Sequence, residues 1–171
     1  IAPREDESPN AGSSFPAQAE TIARAKALDV ASGMTSGLII AADTIVVFEG
    51  RCLGKPASAR EAEDWLLAMR GREHEVITGL SALDAASGKL VSSYTTTTVW
   101  MRSYSMEEAR RYIDSGDPAD KAGAYAIQNQ VFHPVERIEG CYYNVVGLPL
   151  LALDEALSQL GFDIGPEARS S

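Results

Sequence analysis

Two cysteines and two histidines are the only sulfur and imidazole metal donors in this chain apart from methionine. Cys52 and Cys141 lie far apart and match no zinc or disulfide spacing, which reads as two reduced thiols and favours the cytoplasm. Neither His74 nor His133 has a partner at metal-ligand spacing, such as a second His four residues on, and that disfavours a zinc hydrolase. Basic charge is also scarce. With 15 Lys and Arg against 24 Asp and Glu, the net charge is −9. The pI is ≈ 4.7. Such a balance leaves no basic footprint for nucleic acid or an anionic membrane. The longest apolar runs, such as residues 37–47, contain polar residues and stay short of a bilayer span. Residues 1–7 have neither the basic start nor the apolar core of a secretory signal. An anionic small ligand would need a divalent cation or a few focused lysines and arginines, because the whole-molecule field repels it.

What is present is enough for one globular domain: 171 residues, 45% of them hydrophobic. Residues 1–16 read as a strand end running into a loop, and residues 17–28 as a helix with Ile22, Ala25 and Leu28 on one face. Residues 38–48 are β-branched and nearly continuous, the pattern of a strand covered on both faces, with Glu49-Gly50 as its turn. A second helix over 58–69 opens on Ser58, with Glu61 completing a capping box, and closes at Gly71. Strands at 75–83 and 90–101 join through Ser87-Gly88. A short helix over 106–113 follows, capped by Ser105 and ended by Gly116 and Pro118. A strand around 131–138, a final helix over 149–160 and a frayed tail complete the chain. Strands and helices alternate without a repeat, so the expected class is α/β with a mixed sheet and flanking helices.

Four places could carry chemistry. Asp43, with Thr44 beside it, interrupts the apolar strand. A bare carboxylate there would cost several kcal/mol, so it must be hydrogen-bonded by neighbouring amides, bound to a cation, or exposed at a cleft. Lys55, between Gly54 and Pro56, sits in a stiff loop that could aim a point charge at phosphate or could simply be solvated. Lys121-Ala122-Gly123 leads to Gln128, whose amide could read a base edge or face solvent. The segment from Tyr142 to Pro149 is assigned mostly to packing at the start of the last helix. Taken singly, Asp6, Glu7 and Lys26 pass for ordinary surface residues.

Read together, these segments resemble the Maf family, also called septum formation inhibitor proteins, which shares its fold with the inosine-triphosphate pyrophosphatases. The matching segments in order are Asp6-Glu7, Arg24-Ala25-Lys26-Ala27, Ala42-Asp43-Thr44, Gly54-Lys55-Pro56, Gly71 with His74, Thr78-Gly79, Asp120-Lys121 through Gln128, and Asn144-Val145-Val146-Gly147-Leu148-Pro149. They extend from the start of the chain to about residue 160.

The resemblance implies a two-lobed domain over residues 1–160 with a central cleft, and hydrolysis of the α–β phosphoanhydride of a nucleoside triphosphate assisted by Mg²⁺ or Mn²⁺. Asp43 would be the proton acceptor, Glu7 and Asp43 would attend the metal, and Lys26, Lys55 and Lys121 would meet the substrate. One branch of the family acts on dTTP and UTP and another on 7-methyl-GTP. Thr44 and Gln128 are similar to the first, and imply a pyrimidine nucleotide such as dTTP or UTP. Homodimers are frequent in the family. Its members begin with a strand and a Ser-x-Ser-Pro-Arg-Arg loop that have no equivalent before Ile1, so the sequence reads as a fragment or as the product of an altered start. The alternatives are a catalytically weak regulatory or interaction protein on the same fold, and a purine-directed house-cleaning enzyme. Asn129-Gln130 stands where the family commonly has Gly.

Overall fold

A computed structural model describes residues 14–162. The expected strand end and loop before residue 14, with Asp6 and Glu7, lie outside the described residues, as does the tail from residue 163.

Helix α1 (Phe15–Ala31) starts with Pro16 in its first turn, where a missing N–H costs nothing. Its buried edge is Ala19, Ala23 and Ala27. The expected face of Ile22, Ala25 and Leu28 is not the buried one, and Leu28 is 47% exposed. The cause is a partner with no side chain. An ideal Cβ on Gly79 would stand 2.2 Å from the carbonyl carbon and oxygen of Ala19, so helix backbone lies directly on strand backbone, and only small residues fit the contact.

Strand β1 (Leu38–Phe48) has the expected bounds. It is covered on both faces only at Val46, Val47 and Phe48; earlier, buried Ile39 alternates with exposed Leu38 and Ile40, so the uniform coverage expected for it is corrected. The Glu49-Gly50 turn has positive φ at both residues, 50° and 72°, the two-residue hairpin geometry. It returns the chain into β2 (Arg51–Leu53), antiparallel to β1 with Phe48 opposite Arg51.

Helix α2 (Ala59–Met69) is capped by Ser58, whose side chain accepts from the Glu61 N–H. The return bond runs from the Ala57 N–H to Glu61 Oε2, one residue before the cap. Strands β3 (Glu73–Asp84) and β4 (Lys89–Met101) are followed by α3 (Met106–Asp114), where Ser105 and Glu108 form the full reciprocal box. Two 3₁₀ turns, Asp117–Asp120 and Ala122–Ala124, come next.

The strand expected around 131–138 is β5 (Val135–Glu139). Positive φ at His133 keeps the preceding residues out of the sheet, and Val131 is 96% exposed. The last helix, expected over 149–160, is α5 (Leu150–Leu160); a short helix that was not expected, α4 (Tyr142–Val146), precedes it, with Gly147 at φ 112° between the two. The packing role expected of this segment is also corrected, because Tyr142, Tyr143, Val146 and Leu148 are exposed, whereas Asn144 is buried. Asn144 Nδ2 donates to the Val76 carbonyl and to Thr97 Oγ1, both at 2.9 Å.

The five strands form one open sheet in the order β2-β1-β3-β4-β5, with helices flanking it, as the α/β reading expected. The described residues divide into two bodies, the first made of those up to Asp43, residues 78–95 and those from Gly147 on, and the second of 44–77 and 96–146. In the first, Ala27, Ile39 and Leu83 form a small apolar cluster. In the second, a larger core gathers Leu66 and Met69 from α2, Val99 and Met101 from β4, Tyr112 from α3, and Tyr125 and Phe132.

Candidate active site

In the first body, α1 and β1 bring together two residues 17 apart in sequence. Lys26 Nζ donates to Asp43 Oδ1 at 2.7 Å, with the side chains 22% and 10% exposed. A lysine thus satisfies the acid in the apolar strand, and Lys26 is not an ordinary surface residue. The Gly79 contact fixes this geometry by seating α1 against the sheet without an intervening side-chain layer. Lys26 also lines a hollow of ≈ 450 Å³, together with Val30 and Met34 from α1 and its C-terminal turn and residues 38–42 of β1. A carboxylate held by a lysine can take a proton from a bound water, while the ammonium can balance an arriving anion.

The second body carries the other candidates. Thr44 follows Asp43 in β1, and strand alternation sends the two side chains to opposite faces. Lys55 is exposed in its loop. The loop is fastened to the Lys121 segment by the Gly123 N–H, which donates to the Gly54 carbonyl at 3.0 Å. Gly123 is required there: its φ is 69°, and a Cβ would stand 3.0 Å from both Val46 methyl carbons. Lys121 Nζ pairs with Asp120 at 2.7 Å and with Asp117 at 3.6 Å. The Asp120 carboxylate holds the Lys121 pKa above its ordinary value. Lys121 in turn lowers that of Asp120, with a smaller contribution from the charge of Lys55, so both lysines act on one patch.

Gln128 is exposed in a turn closed by the Asn129 N–H donating to the Ala126 carbonyl at 3.1 Å. The chain reaches that turn from Tyr125, which is buried and hydrogen-bonded through its hydroxyl to His74 Nε2 at 2.7 Å. The rings meet edge to face at 5.3 Å. Burial lowers the His74 pKa to about 4 and keeps the imidazole neutral. Sequence reasoning missed this anchor, as well as the role of Asp117. Little in the sequence singles out His74, which stands between Glu73 and Glu75 at the start of its strand.

Among the described residues no three of His, Cys, Asp and Glu come together, so the described protein groups form no metal cage. Of the two expected metal residues, Asp43 is described and Glu7 is not. A single hard carboxylate suits a Mg²⁺ or Mn²⁺ ion that takes its remaining oxygens from water and substrate phosphates.

An open sheet flanked by helices thus carries an Asp–Lys pair in one body and a lysine-bearing glycine segment in the other. The chain belongs to the Maf family, matching the Maf-like protein family over residues 1–160. It is 47% identical over 153 residues to a dTTP/UTP pyrophosphatase of Dehalococcoides mccartyi, covering 89% of this chain and 68% of the relative. It is 49% identical over 145 residues to a dTTP/UTP pyrophosphatase of Methanosarcina barkeri, covering 85% and 74% of the two chains. A third relative of that name, from Pelotomaculum thermopropionicum, is 42% identical over 159 residues, with 93% and 83% covered.

Proposed function

We propose that this protein hydrolyses dTTP or UTP to the nucleoside monophosphate and pyrophosphate. The name carried by the relatives supports the substrate, and the Lys26–Asp43 pair is the observation that carries the chemistry. A water oxygen bonds to the α-phosphorus as the bond from that phosphorus to the α–β bridging oxygen breaks. The bridging oxygen leaves with its electron pair on pyrophosphate, and the proton of the attacking water passes to the Asp43 carboxylate. Phosphoryl transfer needs little covalent work from a protein, so positioning and charge stabilisation dominate. Lys26, Lys55 and Lys121 neutralise phosphate oxygens, while Thr44 and the Gln128 amide read the pyrimidine edge. A Mg²⁺ or Mn²⁺ ion would be held by Asp43 and Glu7 and would supply further charge neutralisation to the phosphates. Cys52 and Cys141, which lie far apart in sequence and match no disulfide spacing, accord with a reducing compartment, and the cytoplasm is the proposed location.

The test is pyrophosphate release by the purified chain across dTTP, UTP, dCTP, ATP, ITP and 7-methyl-GTP, with Mg²⁺, Mn²⁺ and a chelator control. The expected outcome is a panel led by dTTP and UTP and silenced by the chelator. A panel led by ITP or 7-methyl-GTP overturns the substrate assignment. Absence of turnover in a folded chain supports a regulatory role instead.

A further inference from the structure

The turn that holds Gln128 is tied at both ends to one carboxylate. Asp117 stands just after Gly116, whose φ of 79° ends the run of α3 and directs the chain into the first 3₁₀ turn. Asp117 Oδ2 accepts from the Tyr112 hydroxyl at 2.7 Å and from Asn129 Nδ2 at 3.1 Å. The Tyr112 oxygen accepts in its turn from the Ala126 N–H at 3.0 Å. Ala126 and Asn129 are the first and last residues of the Gln128 turn, so both ends converge on Oδ2. The other oxygen, Oδ1, faces Lys121 Nζ at 3.6 Å.

We propose that Asp117 is a positioning residue that fixes the base-reading Gln128 turn relative to the phosphate-binding Lys121. This rests on the pyrimidine triphosphate reading above and deepens it, because it concerns how the same site couples base to phosphate.

The local chemistry agrees on one arrangement of protons. Burial raises the Tyr112 pKa, so the phenol remains a donor to Asp117. The hydrogen bond from Tyr112, then those from Asn129 and Lys121, lower the Asp117 pKa, so the carboxylate remains an acceptor on every side. Asn129 uses both ends of its amide. Its Nδ2 reaches Asp117 while its Oδ1 accepts from the N–H groups of Val131 at 3.1 Å and Phe132 at 2.7 Å. A glycine at position 129 could make none of these side-chain bonds. Tyr112 is itself held by stacking on Phe132, with ring centroids 4.4 Å apart and planes 13° from parallel. The clasp therefore has fixed walls on the α3 side and on the loop side.

A clasp that only stabilised the fold would affect every nucleotide alike when broken. One that positions Gln128 acts chiefly on the substrate whose base is read. The experiment compares kcat/KM for dTTP and for ATP in wild type, Asp117→Ala, Asp117→Asn, Asn129→Gly, Gln128→Ala and the Asp117→Ala/Gln128→Ala double variant, with thermal melting alongside. Asp117→Ala and Asn129→Gly are each expected to cut the dTTP-to-ATP ratio about tenfold, the scale of one misplaced polar contact. Asp117→Asn, which keeps an oxygen for Tyr112 and Asn129, should retain most of the ratio. In the double variant, loss of Asp117 should lower the ratio no further once Gln128 is gone, the signature of two residues acting through one contact.

Equal losses for dTTP and ATP, or additive losses in the double variant, overturn the inference while leaving the functional reading intact. A wild-type chain that turns over no pyrimidine triphosphate overturns the functional reading and this inference with it. Should Asp117→Ala fail to fold, Asn129→Gly still decides: an unchanged ratio there rejects the positioning role.

Discussion

Asp43→Asn keeps the shape of the side chain and one oxygen for Lys26 but removes the charge that pairs with the ammonium at 2.7 Å. Two losses follow, and they are separable. For stability, exposed pairs contribute about 0.2–1 kcal/mol, whereas stripping one partner from an interior pair costs about 3–5 kcal/mol. The side chains here are 22% and 10% exposed, between those limits, and Asn still accepts from Lys26. A loss of about 1–3 kcal/mol is expected, a fall in Tm of roughly 2–12 °C for a chain of this size. For activity, removal of the group that takes the water proton should lower kcat at least about 100-fold. The assay is pyrophosphate release at saturating dTTP, with thermal melting of the same preparations. Lys26→Met is the control: it breaks the same ion pair but leaves a proton acceptor, so it should raise KM and retain more turnover than Asp43→Asn. Folded Asp43→Asn protein with turnover within about threefold of wild type would reduce Asp43 to a structural partner of Lys26 and refute the mechanism.

Other expectations test the fold and the specificity separately. Gly79→Ala would place a Cβ at 2.2 Å from Ala19 backbone, and should destabilise the protein by about 3 kcal/mol or more in urea unfolding; a loss under about 1 kcal/mol would mean that α1 lifts away at little cost. Gln128→Glu swaps an amide donor for a charge and should cost about 1–3 kcal/mol in dTTP or UTP specificity, with ATP remaining poor. An unaltered nucleotide preference would take Gln128 out of base recognition. His74 should impose a pH dependence on stability. Above about pH 6.5 the ring is neutral in folded and unfolded chains alike, and as the pH falls towards 4 the unfolded chain takes up a proton that the buried ring does not. Stability then declines by up to about 3 kcal/mol across that window, seen as a falling urea midpoint, and His74→Gln should flatten the decline.

What could be read in the sequence was local. The caps at Ser58 and Ser105 need partners three residues away, and both stand where the pattern put them. The Glu49-Gly50 hairpin and the bounds of β1 were equally legible, because turn chemistry and β-branching act over neighbouring residues. Asp43 stood out as a charge inside an apolar strand. Its partner did not, because Lys26 meets it only once a helix and a strand have docked. The buried edge of α1 was misread for the same reason: periodicity favours the larger apolar side chains, but a strand glycine selects the smallest. The break at Gly147 and the late start of β5 depend on backbone dihedrals that hydrophobic pattern does not encode. Asp117 gave no local signal, since the groups that meet its carboxylate come from α3, from the residue after its 3₁₀ turn and from the loop after Gln128.

The bare contact between Gly79 and Ala19 has a mechanical consequence. Most helices rest on a sheet through a layer of side chains, and that layer is a cushion: rotamers interchange, methyl groups shift, and the helix can settle at several heights. At this contact there is no cushion. With a strand glycine on one side and an alanine-lined helix edge on the other, main chain touches main chain and offers no rotamer to exchange. The helix has one height here, and Lys26, two turns further along, inherits that stiffness. Volume changes elsewhere in the core therefore have no route, through this contact, to retune how far the ammonium stands from Asp43; only the loss of the contact itself would do so.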